Sequence, residues 1–295
     1  MPLVSLITCT LGRKHKLLRL LHSLELQDCR QFELILVDQN PPGYLNAEIA
    51  PFKSRFKIEH LHTAKGLSLG RNIGLKFATG RLVAFPDDDC WYRPDTLQQV
   101  VDLFHKHPDL DFITGRTFDA ENVPSLSPTL DRAGAVARSN YLVCGNSNSI
   151  FARTGAVRCI GGFDERLGVG AATPFQSGEE SDLVLSALAA HMHLSYFPDL
   201  IVHHDQVDIS NPATYVDRAA KYGAGYGAIL RKHDFGTAYV GVRMLRSILR
   251  SAVYAGMLQW TKARYKWSWA LGIWSGYWLW SRQMQAGANL HAPKV

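Results

Sequence analysis

Strand-like and helix-like segments alternate along the first hundred residues of the chain. Apolar runs typical of buried strands occupy residues 4–10, 32–37 and 82–85, and leucines at helical spacing lie between residues 14 and 26. Another helix is predicted over residues 94–106. This alternation predicts an α/β fold with a doubly wound, mostly parallel sheet.

Polar side chains follow three of these predicted strands. Thr10 ends the first and Arg13 comes after it, Asp38 and Gln39 follow the second, and the run 87–89 (Asp-Asp-Asp) follows the third. Ligands of open α/β sheets bind beyond the carboxyl ends of the strands, so these side chains are expected to converge on one rim. The sequence therefore predicts a ligand site there.

Two of the three aspartates suit a cation. In extended backbone, residues two apart point the same way, so Asp87 and Asp89 are predicted to share one face and Asp88 the other. Like charges side by side are costly unless a cation lies between them. The alternative for this run alone is a solvated acidic turn.

The composition changes after the predicted α/β segment. Strand patterns are lost after about residue 211, and we place a boundary near residues 206–215. The predicted domains are an α/β domain at 1–210 and a helical, basic and tryptophan-rich region at 211–295. This second region is expected to form a C-terminal helical extension of the fold.

The C-terminal region combines cations with apolar and aromatic side chains. Arg243, Arg246 and Arg250 recur at helical spacing among apolar residues, and tryptophans concentrate in residues 267–280. Such a helix suits the interface of a membrane, so peripheral membrane association is expected. The alternative is a helical hairpin that covers the protein's own core or a dimer partner.

Charge, cysteines and hydropathy narrow the setting. The net charge is +6 and the sequence pI is near 9.1, which favours anionic partners such as phosphorylated substrates, anionic membrane surfaces or nucleic acid. The five cysteines are scattered without a C-x-x-C pair, as is typical of free thiols in a reducing compartment. No signal peptide or spanning segment is recognised, so a cytoplasmic location is expected, with attachment to the inner face of the cell membrane.

Five segments in order resemble one enzyme family. They are residues 4–13, 33–40, 66–95, 145–168 and 178–204, which together cover most of residues 4–205. The chain resembles the family 2 glycosyltransferases, inverting enzymes with the nucleotide-sugar-binding GT-A fold. That resemblance implies transfer of a sugar from a nucleoside diphosphate donor to a glycan or lipid-linked acceptor, in bacterial cell-surface polysaccharide assembly.

The resemblance implies that the acidic run binds a divalent metal ion and, through it, the diphosphate of the donor. It corresponds to the family's DXD motif, in which Asp89 contacts a divalent cation, Asp87 assists, and Asp87 or Asp88 lies nearer the ribose. Mg²⁺ or Mn²⁺ is implied, because both prefer carboxylate and phosphate oxygens. A histidine in the strand before residue 205 often completes this site, and His203 is preferred to His204 for that role.

The resemblance also assigns nucleotide contacts. Asp38 and Gln39 stand where many relatives carry an Asp-Asp pair that reads the base; glutamine still suits uracil or thymine, so a UDP- or dTDP-sugar is expected, although another base stays open. Arg71 lies in a segment similar to the family's A-R-N-x-G pattern, and it is expected to bind the donor with Thr10 and Arg13. The alternatives are an Asp38 that caps a turn and an Arg71 on the surface.

The catalytic base is assigned to Glu180. The family has Glu-Asp where this chain has Glu179-Glu180, and the second acid takes the proton of the acceptor hydroxyl. Acids also favour the first turn of a helix for electrostatic reasons alone. Segment 145–147 resembles a strand that lines the donor sugar, and contact with the acceptor is expected from Asn146, Asp164, Glu165 and Glu179.

Other functions remain open at this stage. A catalytically inactive transferase-like scaffold or binding protein at the membrane is the main alternative, although intact acids at Asp87, Asp89 and Glu180 argue against it. A nucleotidyltransferase of related fold would need a glycine- and arginine-rich N-terminal loop that this sequence lacks. Nucleic-acid binding would leave the acids unexplained, so no nucleic-acid partner is expected.

Overall fold

A computed structural model describes residues 2–126, 128–206 and 211–290 of the chain, with side chains described as far as Arg282. Its contacts divide the chain into two compact units. The first comprises Met1–Phe163 and Leu183–Val207, and the second comprises Asp164–Asp182 and Asp208–Val295. The predicted boundary includes residues 207–210, which lie outside the described residues, and the division at residue 210 stays a prediction.

The described residues form strands and helices that alternate as far as the strand Leu82–Ala84; two strands then precede the next helix, and three long helices follow residue 211. The strands are β1 (Val4–Thr10), β2 (Phe32–Asp38), β3 (Lys57–His62), β4 (Leu82–Ala84), β5 (Cys90–Tyr92), β6 (Phe112–Phe118), β7 (Gly134–Ala135), β8 (Ile150–Arg153) and β9 (Leu194–His204). The helices are α1 (Lys14–Glu25), α2 (Asn46–Ile49), α3 (Leu67–Phe77), α4 (Thr96–Lys106), α5 (Tyr141–Cys144), α6 (Thr154–Cys159), α7 (Glu179–Ala189), α8 (Pro212–Lys232), α9 (Thr237–Gly256) and α10 (Trp260–Leu290).

The strands of the first unit form one sheet. Its order is β3-β2-β1-β4-β8-β6-β9-β5, with β7 paired to β9. Strands β3, β2, β1 and β4 are parallel, and the β8 pairings are antiparallel. The mixed α/β fold, with a mostly parallel sheet and a helical C-terminal region, confirms the predicted fold class.

The core of the first unit forms where apolar faces of helices cover the parallel strands. Helix α1 buries Leu17, Leu20, Leu21 and Leu24, at the spacing that predicted it. The strands beneath are almost continuously buried because both faces of the parallel sheet are covered. Removal of this apolar surface from water is the main favourable term that holds the strand ends in place.

Helix α3 approaches the sheet closely because of a glycine. A Cβ atom at Gly70 would lie 2.6 Å from Sγ of Cys9 and 3.0 Å from Nε2 of Gln39, both near the carboxyl ends of β1 and β2. A larger residue would force these side chains apart. The close approach brings Arg71, the next residue, to the strand ends.

The second unit contains the long C-terminal helices. Helices α8 and α10 pack closely through glycines on both sides; a Cβ atom at Gly223 would lie 3.1 Å from Cα of Gly272. Trp280 and Tyr277 are buried in this unit. None of the helices within the described residues combines the length and apolar character needed to cross a membrane.

Candidate functional site

The three aspartates lie between β4 and β5, and the last two of them form a turn that leads into β5. Residues 87–89 lie outside the strands, so strand alternation does not set their directions, yet their side chains still separate into two groups. Asp88 is buried and its Oδ2 accepts a 2.8 Å hydrogen bond from Oγ1 of Thr10 at the end of β1. The carboxylates of Asp87 and Asp89 instead approach His204.

Cations at the start of α1, Arg13 just before it and Lys16 in its first turn, contact the acidic turn. One guanidinium nitrogen of Arg13 lies 3.1 Å from Asp88 Oδ1 and 2.8 Å from Asp89 Oδ2. Nζ of Lys16, one turn later, lies 3.5 Å from the same oxygen of Asp89. The Arg13 side chain is about half exposed, at 52%. The turn is therefore partly neutralised, and the cations that neutralise it face solvent.

The histidine at this site is His204. Its Nε2 lies 3.0 Å from Asp89 Oδ1, and ligand atoms of Asp87, Asp89 and His204 all lie within 4.8 Å of one another. His203, which was preferred for this role, does not join the group, because neighbouring residues of a strand point to opposite faces. Its role as a metal ligand stays a prediction. His203 stacks on Trp91, with ring centroids 5.3 Å apart, and its Nδ1 lies near a backbone oxygen of Asp119.

The charges of this cluster are strongly coupled. Burial opposes ionisation of Asp89, but the hydrogen bond to His204 and the nearby cations outweigh burial and hold its pKa well below the usual range. Burial likewise opposes the charged form of His204, and the hydrogen bond to Asp89 raises its pKa overall. Burial raises the pKa of Asp88 to about 6 despite Arg13 and Thr10.

The donor set fits a divalent metal. Two carboxylates supply the hard oxygen ligands that Mg²⁺ and Mn²⁺ prefer, and a histidine nitrogen is acceptable to Mn²⁺. Asp89 presents Oδ1 toward His204, while its Oδ2 contacts Arg13 and Lys16. The oxygen that faces His204 and the oxygen that faces the two cations are therefore different atoms of one carboxylate.

Arg71 is buried beside the acidic turn. It is 1% exposed, and a guanidinium nitrogen donates a 2.9 Å hydrogen bond to Asp87 Oδ1. The guanidinium carbon also lies 5.1 Å from the ring centroid of Phe163. The alternative of a surface arginine is wrong, because α3 directs this side chain into the site.

Asp38 and Gln39, at the end of β2, form hydrogen bonds with nearby loop residues. Asp38 Oδ1 accepts hydrogen bonds from the backbone and side-chain nitrogens of Asn40, both 2.8 Å long. Gln39 Nε2 donates to the backbone oxygen of Gly66, just before α3. Asp38 therefore organises its own turn, as the alternative interpretation expected, and His60 contacts its second oxygen at 3.0 Å. Its predicted contact with a nucleobase stays a prediction.

Residues 145–149 differ from the strand that was expected there. Asn146 precedes a 3₁₀ turn, Ser147–Ser149, and its Nδ2 donates to Thr117 Oγ1. The strand begins later, at Ile150, so that interpretation of segment 145–147 was wrong. The turn directs Asn148 inward, where Oδ1 accepts a 2.9 Å hydrogen bond from the backbone N–H of Asp87. Sequence reasoning missed Asn148, which fixes the backbone of the acidic turn.

The predicted base and acceptor residues of segments 164–165 and 179–180 belong to the second unit. Glu179 is buried and Glu180 is half-buried in the first turn of α7. Asp164 is bound by Arg166 at 2.7 Å and by Lys232 at 2.8 Å, while Glu165 is exposed. Burial opposes ionisation of Asp164, but these partners hold its pKa well below the usual range.

A buried charged group supports the first turn of α7. Asp182 is 2% exposed; its two carboxylate oxygens lie 2.8 Å from Lys232 Nζ and 2.7 Å from His233 Nε2. Sequence reasoning did not find this group, because its members are about fifty residues apart and each is unremarkable alone. It anchors the helix turn that carries Glu180 to the end of α8.

The fold is that of the GT-A nucleotide-diphospho-sugar transferases. The mannosyltransferase PcManGT from Pyrobaculum calidifontis, solved with GDP-Man and Mn²⁺, superposes with a TM-score of 0.60 over 99% of this chain and 81% of that one, at 16% identity. At this identity the likeness shows the fold alone.

The family model for glycosyl transferase family 2 matches residues 5–155, and the chain belongs to this family. A Bacillus subtilis relative, the putative glycosyltransferase EpsH, is 30% identical over 41% of this chain and 38% of its own. Escherichia coli WfgD, a UDP-Glc:alpha-D-GlcNAc-diphosphoundecaprenol beta-1,3-glucosyltransferase, is 28% identical over 38% of this chain and 45% of its own. The chain thus spans about two fifths of the length of these relatives.

Proposed function

We propose that the protein is a metal-assisted inverting glycosyltransferase that moves a hexose from a nucleoside diphosphate donor to a glycan or lipid-linked acceptor. The observation that carries this proposal is the convergence of Asp87, Asp89 and His204 beside Arg13 and Lys16. Relatives support it: WfgD is named for a UDP-sugar donor and a diphosphoundecaprenol-linked acceptor, and PcManGT was solved with GDP-Man and Mn²⁺.

Asp87, Asp89 and His204 would hold Mg²⁺ or Mn²⁺. A bound cation supplies Lewis acidity that stabilises negative charge on the departing nucleoside diphosphate. Arg13 and Lys16 would also stabilise the negative charge of the departing diphosphate, because both are partly exposed beside Asp89 Oδ2. Arg71 would hold Asp87 in place through its 2.9 Å contact while it binds the donor.

The donor's nucleoside would lie at the ends of β1 and β2. Thr10 and Asp88 are hydrogen-bonded to each other there. Asp38 ends the neighbouring strand and is paired in register with Thr10, and Gln39 follows it. A glutamine side chain can donate to a base carbonyl and accept from an N–H, which suits uracil or thymine. A UDP- or dTDP-sugar is therefore the proposed donor.

Glu180 is the proposed general base. Its carboxylate would take the proton from the acceptor hydroxyl as that oxygen bonds to the anomeric carbon and the diphosphate leaves from the opposite face. The family pattern and the first-turn position support this role. Glu179, Asp164, Glu165 and Asn146 are the proposed acceptor contacts, although the Asp164 carboxylate is already bound by two cations.

The C-terminal helices would bind the surface of a membrane. Exposed apolar residues line one face of α9 and one face of α10, and the sequence contains no Asp or Glu after Asp234. Cations beside an apolar face suit an anionic lipid surface. Residues 211–295 would thus hold the α/β domain, residues 1–210, at the inner face of the cell membrane, where lipid-linked precursors of cell-surface polysaccharide lie.

The decisive experiment is a screen of nucleotide sugars for thermal stabilisation with and without Mn²⁺. We expect one UDP- or dTDP-sugar to raise the melting temperature only with metal, and Asp89→Asn to lose that increase. Asp102→Asn, an exposed change on α4, serves as control. Stabilisation of Asp89→Asn equal to that of the unchanged protein would refute the metal role.

A scaffold protein would give a different result. The main alternative, an inactive transferase-like binding protein at the membrane, predicts no slow hydrolysis of any nucleotide sugar in the presence of Mn²⁺. Retention of Asp87, Asp89 and His204 in one cluster favours the enzyme.

A further inference from the structure

A second group of metal-ligating side chains lies at the edge of the sheet. His60 and His62 stand two apart on β3, so their side chains point to the same face of the strand. Asp38 ends the adjacent parallel strand β2 and is paired in register with His62. Sheet geometry alone therefore brings two imidazoles to one carboxylate.

The ligating atoms are close enough to share one ion. His60 Nε2 lies 3.0 Å and His62 Nδ1 lies 3.9 Å from Asp38 Oδ2. One potential ligand atom from each of the three residues lies within 4.8 Å of the other two. A metal held at about 2.0–2.2 Å from nitrogen and oxygen ligands places those ligands roughly 3–4 Å apart. Small side-chain rotations therefore suffice to complete the site.

The carboxylate of Asp38 is oriented for this role. Asp38 is fully buried, and its other oxygen, Oδ1, accepts two hydrogen bonds from Asn40. Asn40 is itself held, because its Oδ1 accepts a 2.7 Å hydrogen bond from the N–H of Gly12. Outer partners of this kind fix a ligand's direction and usually matter for affinity. Oδ2 is thereby presented to the two histidines.

The donor set selects a different class of ion from the acidic turn. Two imidazoles and one carboxylate suit Zn²⁺, Ni²⁺, Cu²⁺ or Fe²⁺ better than Mg²⁺, which prefers oxygen ligands. The side chain of His60 is 12% exposed and that of His62 is 43% exposed, so one side of the group is open to solvent. An ion here would keep exchangeable positions for water or a ligand.

We propose that Asp38, His60 and His62 form a binding site for a divalent transition metal of the Zn²⁺ class. This site uses no residue of the group Asp87, Asp89 and His204. Asp38 is also the proposed nucleobase contact. The metal would bind only Oδ2, the oxygen that faces the two histidines. The transition-metal site itself does not depend on the proposed transferase activity.

The test is calorimetric titration of tag-free protein with Zn²⁺ at neutral pH. The Asp89→Asn protein, which lacks a ligand of the first group, is used throughout so that binding there does not obscure the result. We expect one Zn²⁺ per chain. Adding His62→Ala should weaken binding by at least about tenfold, because loss of even an outer partner costs about 10–100-fold. Adding His105→Ala, an exposed histidine on α4, should change nothing.

A spectroscopic measurement identifies the ligands directly, so the conclusion does not depend on affinity alone. Electron paramagnetic resonance of bound Cu²⁺ should show coupling to two imidazole nitrogens, reduced to one in His62→Ala and in His60→Gln. Circular dichroism checks that each variant is folded. Absence of stoichiometric Zn²⁺ binding, or equal binding by His62→Ala, would overturn the proposal. Neither result would bear on sugar transfer, which the donor screen tests separately.

Discussion

His204 Nε2 lies 3.0 Å from Asp89 Oδ1, and this contact joins the last residue of β9 to the acidic turn before β5. The pairing of β5 with β9 brings the two residues together, because Cys90, the residue after Asp89, is in register with His204. Each partner shifts the other's pKa toward the charged form, and burial shields the pair from solvent. The pair therefore stabilises the fold and holds the two side chains together.

The first prediction concerns the pH dependence of this pair. Because the pKa of His204 is raised by folding, its contribution is complete below the ordinary histidine value of about 6.5 and is lost as pH rises through the folded value. The lowered pKa of Asp89 makes its contribution present above about 3.9 and lost in acid. His204→Gln should therefore lower the free energy of unfolding more at about pH 5.5 than at about pH 8.5.

Urea unfolding with a chelator present measures this difference. His105→Gln, an exposed change on α4, is the control and should give no pH-dependent loss. Equal losses for His204→Gln at both pH values would mean that the pair is not an ion pair in solution.

The second prediction is that Arg13 affects metal and nucleotide in opposite directions. Arg13→Gln removes a cation from Asp88 and Asp89, so Mn²⁺ affinity should rise by roughly two- to tenfold, as expected for a half-exposed charge pair. The affinity for a nucleoside diphosphate, measured without metal, should fall by a similar factor. Calorimetry measures both, with Arg30→Gln as an exposed control. A change of both affinities in one direction would contradict the proposed role.

Much of the fold was predictable because local patterns are strong. Buried apolar runs and leucine spacing predicted β1, α1 and β2 within one or two residues, and the strand ends gave Thr10, Asp38 and the acidic turn. The choice between His203 and His204 was not predictable, because it depends on the register in which β9 pairs with β5, which places His204 opposite Cys90. Contacts set by packing between distant segments leave no local signal.

Two other features show the same limit. Asn148 reaches the backbone of Asp87 only because a 3₁₀ turn replaces the expected strand. Lys232 and Asp182 meet although neither has a distinctive neighbourhood in sequence. The His60-x-His62 pattern was visible and could have been recognised, since alternate histidines on a strand share a face.

The third prediction tests the catalytic base. Glu180→Gln keeps the size of the side chain but removes the group that accepts a proton, so kcat for sugar transfer should fall by about 10²–10⁴-fold. The affinity for the nucleotide donor should stay within about twofold, because general-base catalysis does not require ground-state binding. Steady-state kinetics and donor calorimetry separate the two. Glu121→Gln, exposed in the first unit, is the control, and an active Glu180→Gln would refute the assignment.

The fourth prediction concerns packing of the second unit. A Cβ atom at Gly276 of α10 would meet the backbone of Ala224 in α8, including its Cα at 2.7 Å. Gly276→Ala should therefore lower the free energy of unfolding by about 1–3 kcal/mol, as overpacking does. Gly241→Ala on α9 has no atom within 4 Å of the new Cβ and should raise stability by up to about 1 kcal/mol. Thermal unfolding compares the two variants. Equal loss of stability in both would contradict the prediction that close α8–α10 packing makes Gly276→Ala destabilising.

The fifth prediction concerns the membrane. Trp267, Trp274 and Trp278 are exposed along one face of α10, at spacings of seven and four residues, and each is about half exposed. A triple change of these tryptophans to glutamine should reduce sedimentation with anionic vesicles by at least about tenfold, because several interfacial anchors are lost together. Binding by the unchanged protein should also weaken with salt, since surface charges are screened.

The control for this experiment replaces exposed apolar residues elsewhere. Leu26 and Phe77 of the first unit are exposed to a comparable extent, and their change to glutamine should leave sedimentation unchanged. If the triple variant sediments like the unchanged protein, the α10 face does not bind lipid. If the unchanged protein instead forms a dimer in light scattering and fails to sediment, this face is an interface between copies, because an apolar face must be covered by one partner or another.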